Sequence, residues 1–142
     1  RVMIIPGTDG QKMSKSYNNY IDIFLPEKKL RKQVMGIVTD STPLEEPKDA
    51  DVCNVFKLFK LLGTEEQTAA LRTQYEGGNF GYGHAKQALY ALILEKFATQ
   101  REKFNYLMEN KEEIDKELQK GADKARAIAQ TVLHRVRNKV GY

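Results

Sequence analysis

The chain has 142 residues, of which 41% are hydrophobic and 30% charged, with 23 Lys and Arg against 19 Asp and Glu, a net charge of +4 and a pI near 9.1. Those values describe a globular domain long enough to bury a real core; they exclude a low-complexity or disordered tract, and no apolar stretch approaches membrane-spanning length. A single cysteine, Cys53, excludes an internal disulfide, and two distant histidines, His84 and His134, argue against a zinc site, so both point to an intracellular setting.

In chain order, Val2-Met3-Ile4-Ile5 reads as a buried strand with no second strand in the sequence to pair with. A lone strand is not a stable sheet, and the chain opens on Arg1 with no initiator methionine. The expectation is a nucleotide-binding α/β domain upstream. Pro6-Gly7-Thr8-Asp9-Gly10 is turn-rich and permissive in φ, and it leads into Lys12-Met13-Ser14-Lys15-Ser16. Pro26 sits where a helix would begin, with Leu30, Val34 and Ile37 on one face. Asp40 to Lys48, with Pro43 and Pro47, reads as a connection within one helical unit.

The next helix sets Val52, Val55, Phe56, Phe59 and Leu62 at helical spacing, with Gly63 as its stop. Thr64 with Gln67 is a capping-box pattern for a further helix ending near Gly77. The run Gly77-Gly78-Asn79-Phe80-Gly81-Tyr82-Gly83 lacks a preceding strand and a dinucleotide spacing, and reads as a flexible turn. The longest helix is expected from about Gly83 to Met108, with Leu89, Leu92, Ile93, Phe97, Phe104 and Leu107 or Met108 on its stripe. Asn110 with Glu113 suggests another capping box, starting a short helix that packs Ile114 and Leu118. A final helix from about Ala122 to Val140 is expected to bury Ala125, Ile128, Ala129, Val132, Val136 and Val140. The fold class expected is mainly α, a helical bundle preceded by a remnant strand and loop.

Lysines in a loop are ordinarily just solvated, and no G-x-x-x-x-G-K-[ST] string occurs. The five-residue string in a strand–loop–helix setting nevertheless resembles the KMSKS signature of class I aminoacyl-tRNA synthetases. Four further strings resemble the C-terminal part of the tryptophanyl-tRNA synthetases: Val38-Thr39-Asp40-Ser41, Gln74-Tyr75-Glu76-Gly77, Gly81-Tyr82-Gly83-His84-Ala85-Lys86, and Gly121-Ala122-Asp123-Lys124-Ala125-Arg126-Ala127. The resemblance covers essentially the whole chain. It implies that residues 1–24 are the end of a Rossmann-like catalytic domain otherwise missing, and that 25–142 form an α-helical, anticodon-binding-type domain.

The chemistry implied is attack on the α-phosphate of ATP with loss of pyrophosphate, where cations placed at the developing charge do most of the work. By that resemblance Lys12, Met13, Ser14, Lys15 and Ser16 form the ATP site, with Lys12 and Lys15 as catalytic cations; Met13 lies near the adenine or anchors the loop. The implied partners are tryptophan, ATP with Mg²⁺, and tRNA(Trp), in a cytoplasmic homodimer; no metal-ligand set is assigned to the chain itself. Alone, lacking the amino-acid pocket, the chain is expected to be inactive and monomeric. The Asp40–Asp49 segment departs from the better-known bacterial versions.

From Lys120 to Tyr142 there are six basic residues, Lys120, Lys124, Arg126, Arg135, Arg137 and Lys139, against one acid, Asp123. They are candidates for tRNA phosphate contacts. The competing explanation is that basic residues near a helix C-terminus are favoured by the macrodipole. His84 reads as a capping or solvated residue, His134 as surface, the phenylalanines as core, and Cys53 as a small packing residue. Two rivals stand beside this reading. One is a tyrosyl or other class I synthetase; the other is a non-catalytic basic helical module that binds RNA or protein.

Overall fold

The computed structural model describes residues 4–141. Six helices follow one another: α1 (Glu27–Met35), α2 (Asn54–Leu62), α3 (Glu65–Glu76), α4 (Tyr82–Lys96), α5 (Ala98–Glu109) and α6 (Lys111–Val140). Among the described residues there is no strand, only an isolated antiparallel bridge between Pro6 and Lys12. The chain divides into two compact units, Arg1–Arg101 and Glu102–Tyr142.

The first unit holds the core. Proline fixes φ in its ring and has no N–H to satisfy, so Pro26 starts α1 without cost. The helix turns Leu30 and Val34 fully inward, and Ile37 follows them just past its end. Gly63 ends α2 in an extended conformation, its N–H returning 2.8 Å to the Phe59 carbonyl. The expected capping box of α3 is present in both directions: Gln67 N–H to Thr64 Oγ1 at 3.1 Å, and Thr64 N–H to Gln67 Oε1 at 2.9 Å. α4 packs against both α1 and α2, and its Leu89 and Ile93 join Val55 and Phe56 in one buried cluster. Each such side chain, fully buried, contributes roughly 1.5–3 kcal/mol.

Several expectations are corrected here. Val2 and Met3 lie outside the described residues, but Ile4 and Ile5 are exposed and in no strand, because nothing among the described residues covers them. Val52 precedes α2 and is exposed. The single helix expected over 83–108 is two, since Phe97 leaves helical dihedrals (φ −107°, ψ 16°) while packing on the core. Lys96, just before this break, donates to the Leu62 carbonyl at the end of α2 (2.7 Å), and Arg101, just after it, donates to the Ile23 and Leu25 carbonyls. Apolar spacing continues through one non-helical residue, which is why periodicity alone misses the break. Phe104 is exposed rather than core.

In the second unit the two helices expected after Asn110 are one, the 30-residue α6. Asn110 makes no capping box: its amide turns back to the Tyr106 carbonyl, and Glu113 instead accepts from the Tyr106 hydroxyl. Gly121 stays inside the helix and does not divide it. The apolar stripe of α6 is real as a pattern, yet Ala125, Ile128, Ala129, Val132, Val136 and Val140 are all exposed in this chain. Spacing reports which residues share a face; burial requires another surface against it.

Candidate functional site

The Lys12–Ser16 loop is held from below by one buried side chain, Asn19 (3% exposed). Its Nδ2 donates to Asp9 Oδ1 at 2.8 Å and to the Lys12 carbonyl at 3.0 Å, while its Oδ1 accepts from the Ser14 N–H at 2.8 Å. Its own carbonyl accepts from the Thr8 N–H, also at 2.8 Å. Gly7 makes room for this knot, because a Cβ there would stand 2.5 Å from the Asn19 amide. Gly10 completes the turn at φ +84°, a conformation L side chains rarely adopt. Asp9 also accepts from the Gln11 N–H, and the Asn19 amide is the main cause that holds its carboxyl below the usual range.

This frame decides what the loop can offer. The amides of Met13, Ser14 and Ser16 already donate within the chain, to the Ile5 carbonyl, Asn19 Oδ1 and Ser14 Oγ. In this conformation those three N–H groups are therefore already engaged, and the loop offers its side chains outward. Lys12, Lys15 and Ser16 are exposed and Ser14 half-exposed, while Met13 packs against the hydrophobic core. The loop presents two mobile ammonium groups and two hydroxyls on a base that is anchored by Met13 and Asn19. Such an arrangement suits a polyanion whose charge changes during reaction.

Three of the strings singled out by sequence converge in the first unit. Tyr82 donates its hydroxyl to Asp40 Oδ1 at 2.7 Å and stacks edge-on against Tyr75, ring centres 6.1 Å apart. Burial, then the Asp40 hydrogen bond, pushes the Tyr82 hydroxyl up to about 12. Tyr75 is fully buried, its hydroxyl 3.4 Å from Cys53 Sγ, and burial raises it further still. Lys86 donates to the Met35 carbonyl at 3.0 Å, where desolvation lowers its pKa. The glycine run is not merely flexible: Gly78 (φ +70°) sits so close to the Glu45 carbonyl that a Cβ would approach within 2.5 Å.

Sequence reasoning missed Lys48. It is buried (3% exposed), with Nζ caged by the carbonyls of Pro43, Leu44 and Glu46 at 2.8, 3.4 and 3.1 Å. It organises the connection between α1 and α2. A lysine between two prolines and an aspartate carries no local signal for this. Asn19 was missed for the same reason.

The basic candidates of the second unit are all exposed along α6. Lys120 pairs with Glu117 and Arg126 with Asp123, at 2.5 and 2.7 Å. Arg137 and Lys139 lie in the last turn, where the macrodipole favours them. His84 is exposed, its ring 5.9 Å from that of Phe80, and His134 is at the surface beside Asn138. Among the described residues, no group of three or more His, Cys, Asp or Glu could hold a metal ion. No helix among them is long and apolar enough to cross a membrane.

The family described as tRNA synthetases class I (W and Y) matches residues 2–98. A tryptophan–tRNA ligase of Fusobacterium nucleatum is 50% identical over 138 residues, 97% of this chain and 42% of that protein. One from Campylobacter jejuni is 49% identical over 140 residues, 99% of this chain and 44% of that protein. A crystal structure of the Campylobacter jejuni tryptophanyl-tRNA synthetase complexed with ADP and tryptophan superposes on the whole chain with a TM-score of 0.95 at 48% identity, using 44% of its own length. The chain thus spans under half the length of these relatives and corresponds to their C-terminal part. With its loop, its helical fold and these likenesses together, the chain belongs to the class I aminoacyl-tRNA synthetases of the tryptophan and tyrosine family.

Proposed function

We propose that this chain acts as the C-terminal part of a tryptophan–tRNA ligase, which activates tryptophan with ATP and transfers it to tRNA(Trp). The observation that carries the reading is the Asn19-locked loop with Lys12 and Lys15 at its surface. On this reading Lys15 and Lys12 meet the charge that builds on the bridging and leaving oxygens as pyrophosphate departs, while the Ser14 and Ser16 hydroxyls donate to phosphate oxygens. Met13 holds the loop to the core. Mg²⁺ would enter with the nucleotide phosphates, since the described residues offer no acidic cluster to hold it.

Residues 1–24 then work with an upstream catalytic domain, and 25–142 face the tRNA, with Lys120, Lys124, Arg126, Arg135, Arg137 and Lys139 as phosphate-contacting residues. The Campylobacter jejuni structure with ADP and tryptophan supports the nucleotide and amino-acid assignment. The intact ligase is proposed to be a cytoplasmic homodimer. The 142-residue chain by itself is proposed to be inactive.

Amino-acid-dependent ATP–pyrophosphate exchange on the intact ligase is the deciding measurement. Exchange with tryptophan alone is expected. Exchange with tyrosine would keep the class and discard the specificity; silence with every amino acid would favour a non-catalytic RNA- or protein-binding module. Lys15→Ala in the intact ligase should slow adenylate formation by about a hundredfold or more, and a normal rate would remove Lys15 from the mechanism. Robust exchange by the 142-residue chain would overturn its proposed inactivity.

A further inference from the structure

We propose that the outward face of α1 is a docking surface for the phosphate backbone of the tRNA. This rests on the ligase reading above and adds to it a surface outside the loop and outside the basic tail. Four of the nine residues of α1 are cationic, Lys28, Lys29, Arg31 and Lys32, and all four are exposed. At about 100° per residue, Lys28, Lys32 and Lys29 fall in one arc opposite the buried Leu30 and Val34, with Arg31 at its edge.

A basic helix face is ordinarily a solvated one, laced with acidic partners three or four residues away. In α1 only Arg31 has an acid at that spacing, and Lys28, Lys29 and Lys32 have none. Among the described residues no ion pair involves any of its four cations; Arg31 lies four residues after Glu27, yet its Nε donates to Gln87 Oε1 at 3.2 Å. Helix electrostatics do not explain the placement either. Lys32 is in the last turn, where a cation is favoured, but Lys28 and Lys29 are in the first turn, where the macrodipole disfavours them. In the tail of α6, by contrast, Lys120 and Arg126 are paired and Arg137 and Lys139 lie where the dipole favours them, leaving only Lys124 and Arg135 without either explanation. Unpaired cations kept against the local field point to an anionic partner, and a run of closely spaced phosphates fits an arc of three lysines.

The position suits the reaction. The C-terminal end of α1 is tied to the segment that carries the loop, Gln33 Oε1 accepting from the Asp22 N–H at 3.0 Å and the Thr8 carbonyl accepting from the Val38 N–H at 2.7 Å. RNA held on α1 would keep a constant register to the lysine loop.

The test is Lys28→Gln/Lys29→Gln in the intact ligase, compared with Lys57→Gln/Lys60→Gln on α2, which removes the same charge elsewhere. Removing cations from the first turn should leave the unfolding midpoint unchanged or raised, and leave tryptophan-dependent exchange within twofold, because exchange needs no tRNA. The KM for tRNA in aminoacylation should rise about fivefold or more, and the slope of log affinity against log salt should shrink by between one and two. The α2 variant should stay near the unmodified enzyme. Equal KM and equal salt slope in the two variants would overturn the proposal. If the unmodified ligase shows no exchange with any amino acid, the ligase reading fails instead, and binding of an RNA duplex by the 142-residue chain across the same salt series judges the surface separately: a slope unaffected by the α1 substitutions sinks it.

Discussion

At the scale of single residues, Asn19 matters most to the loop. It pairs three groups in one buried place, so Asn19→Ala leaves the Ser14 N–H and the Lys12 carbonyl without their partner. Each buried group left unpaired costs about 1–3 kcal/mol. The expected outcome is a lower urea midpoint for the first unit and, in the intact ligase, slower adenylate formation, because the loop loses its anchor. An unchanged exchange rate would show that the loop is positioned by something else.

Asp9 adds a pH dependence. Its carboxyl is held below the ordinary aspartate range, chiefly by the hydrogen bond from Asn19. A group with a depressed folded-state pKa contributes stability that is fully present above the unfolded value and lost as pH falls through the folded one. The loop should therefore be insensitive from neutrality to about pH 5 and loosen only below about pH 4. Asp9→Asn should flatten that acid limb, measured by amide exchange of residues 7–19; a limb identical to the unmodified chain would exclude Asp9 as its cause.

At the scale of elements, the connection between α1 and α2 is structure rather than slack. Lys48 satisfies three carbonyls at once, and its own N–H donates to the Tyr75 carbonyl at 2.7 Å, tying the connection to the end of α3. Lys48→Met keeps the stem and removes the charged donor, which should cost about 2–3 kcal/mol, read as a fall in the thermal midpoint. Tyr75→Phe should cost much less, about 1 kcal/mol, because Cys53 loses only a weak sulfur contact while the ring still packs on Phe56. A larger loss for Tyr75→Phe than for Lys48→Met would invert this ranking.

At the scale of the whole molecule, the two units differ in kind. The first has a closed apolar core, whereas no residue described in the second is buried. Hydrogen exchange in the 142-residue chain should accordingly protect the amides of α2 and α4 by far more than those of α6, whose turns open one at a time without exposing a core. Equal protection in α4 and α6 would mean that α6 is stabilised by more than its own hydrogen bonds.

Sequence alone carried the class of the protein and the local elements. The Lys12–Ser16 string, Pro26 as a helix start, Gly63 as a stop and the Thr64–Gln67 box are all read over a few neighbouring residues, where the deciding interactions are themselves local. The apolar stripe of α6 was equally legible as a pattern, and so misled about burial. Only the tertiary structure decided that Asn19 and Lys48 are the hubs, that Phe97 breaks a helix, and that three distant strings meet at Tyr75, Tyr82 and Asp40. The physical reason is common to all three. A polar side chain is worth burying only when groups remote in sequence arrive to pair with it, and a helix bends where a packed core demands it, neither of which a window of adjacent residues records.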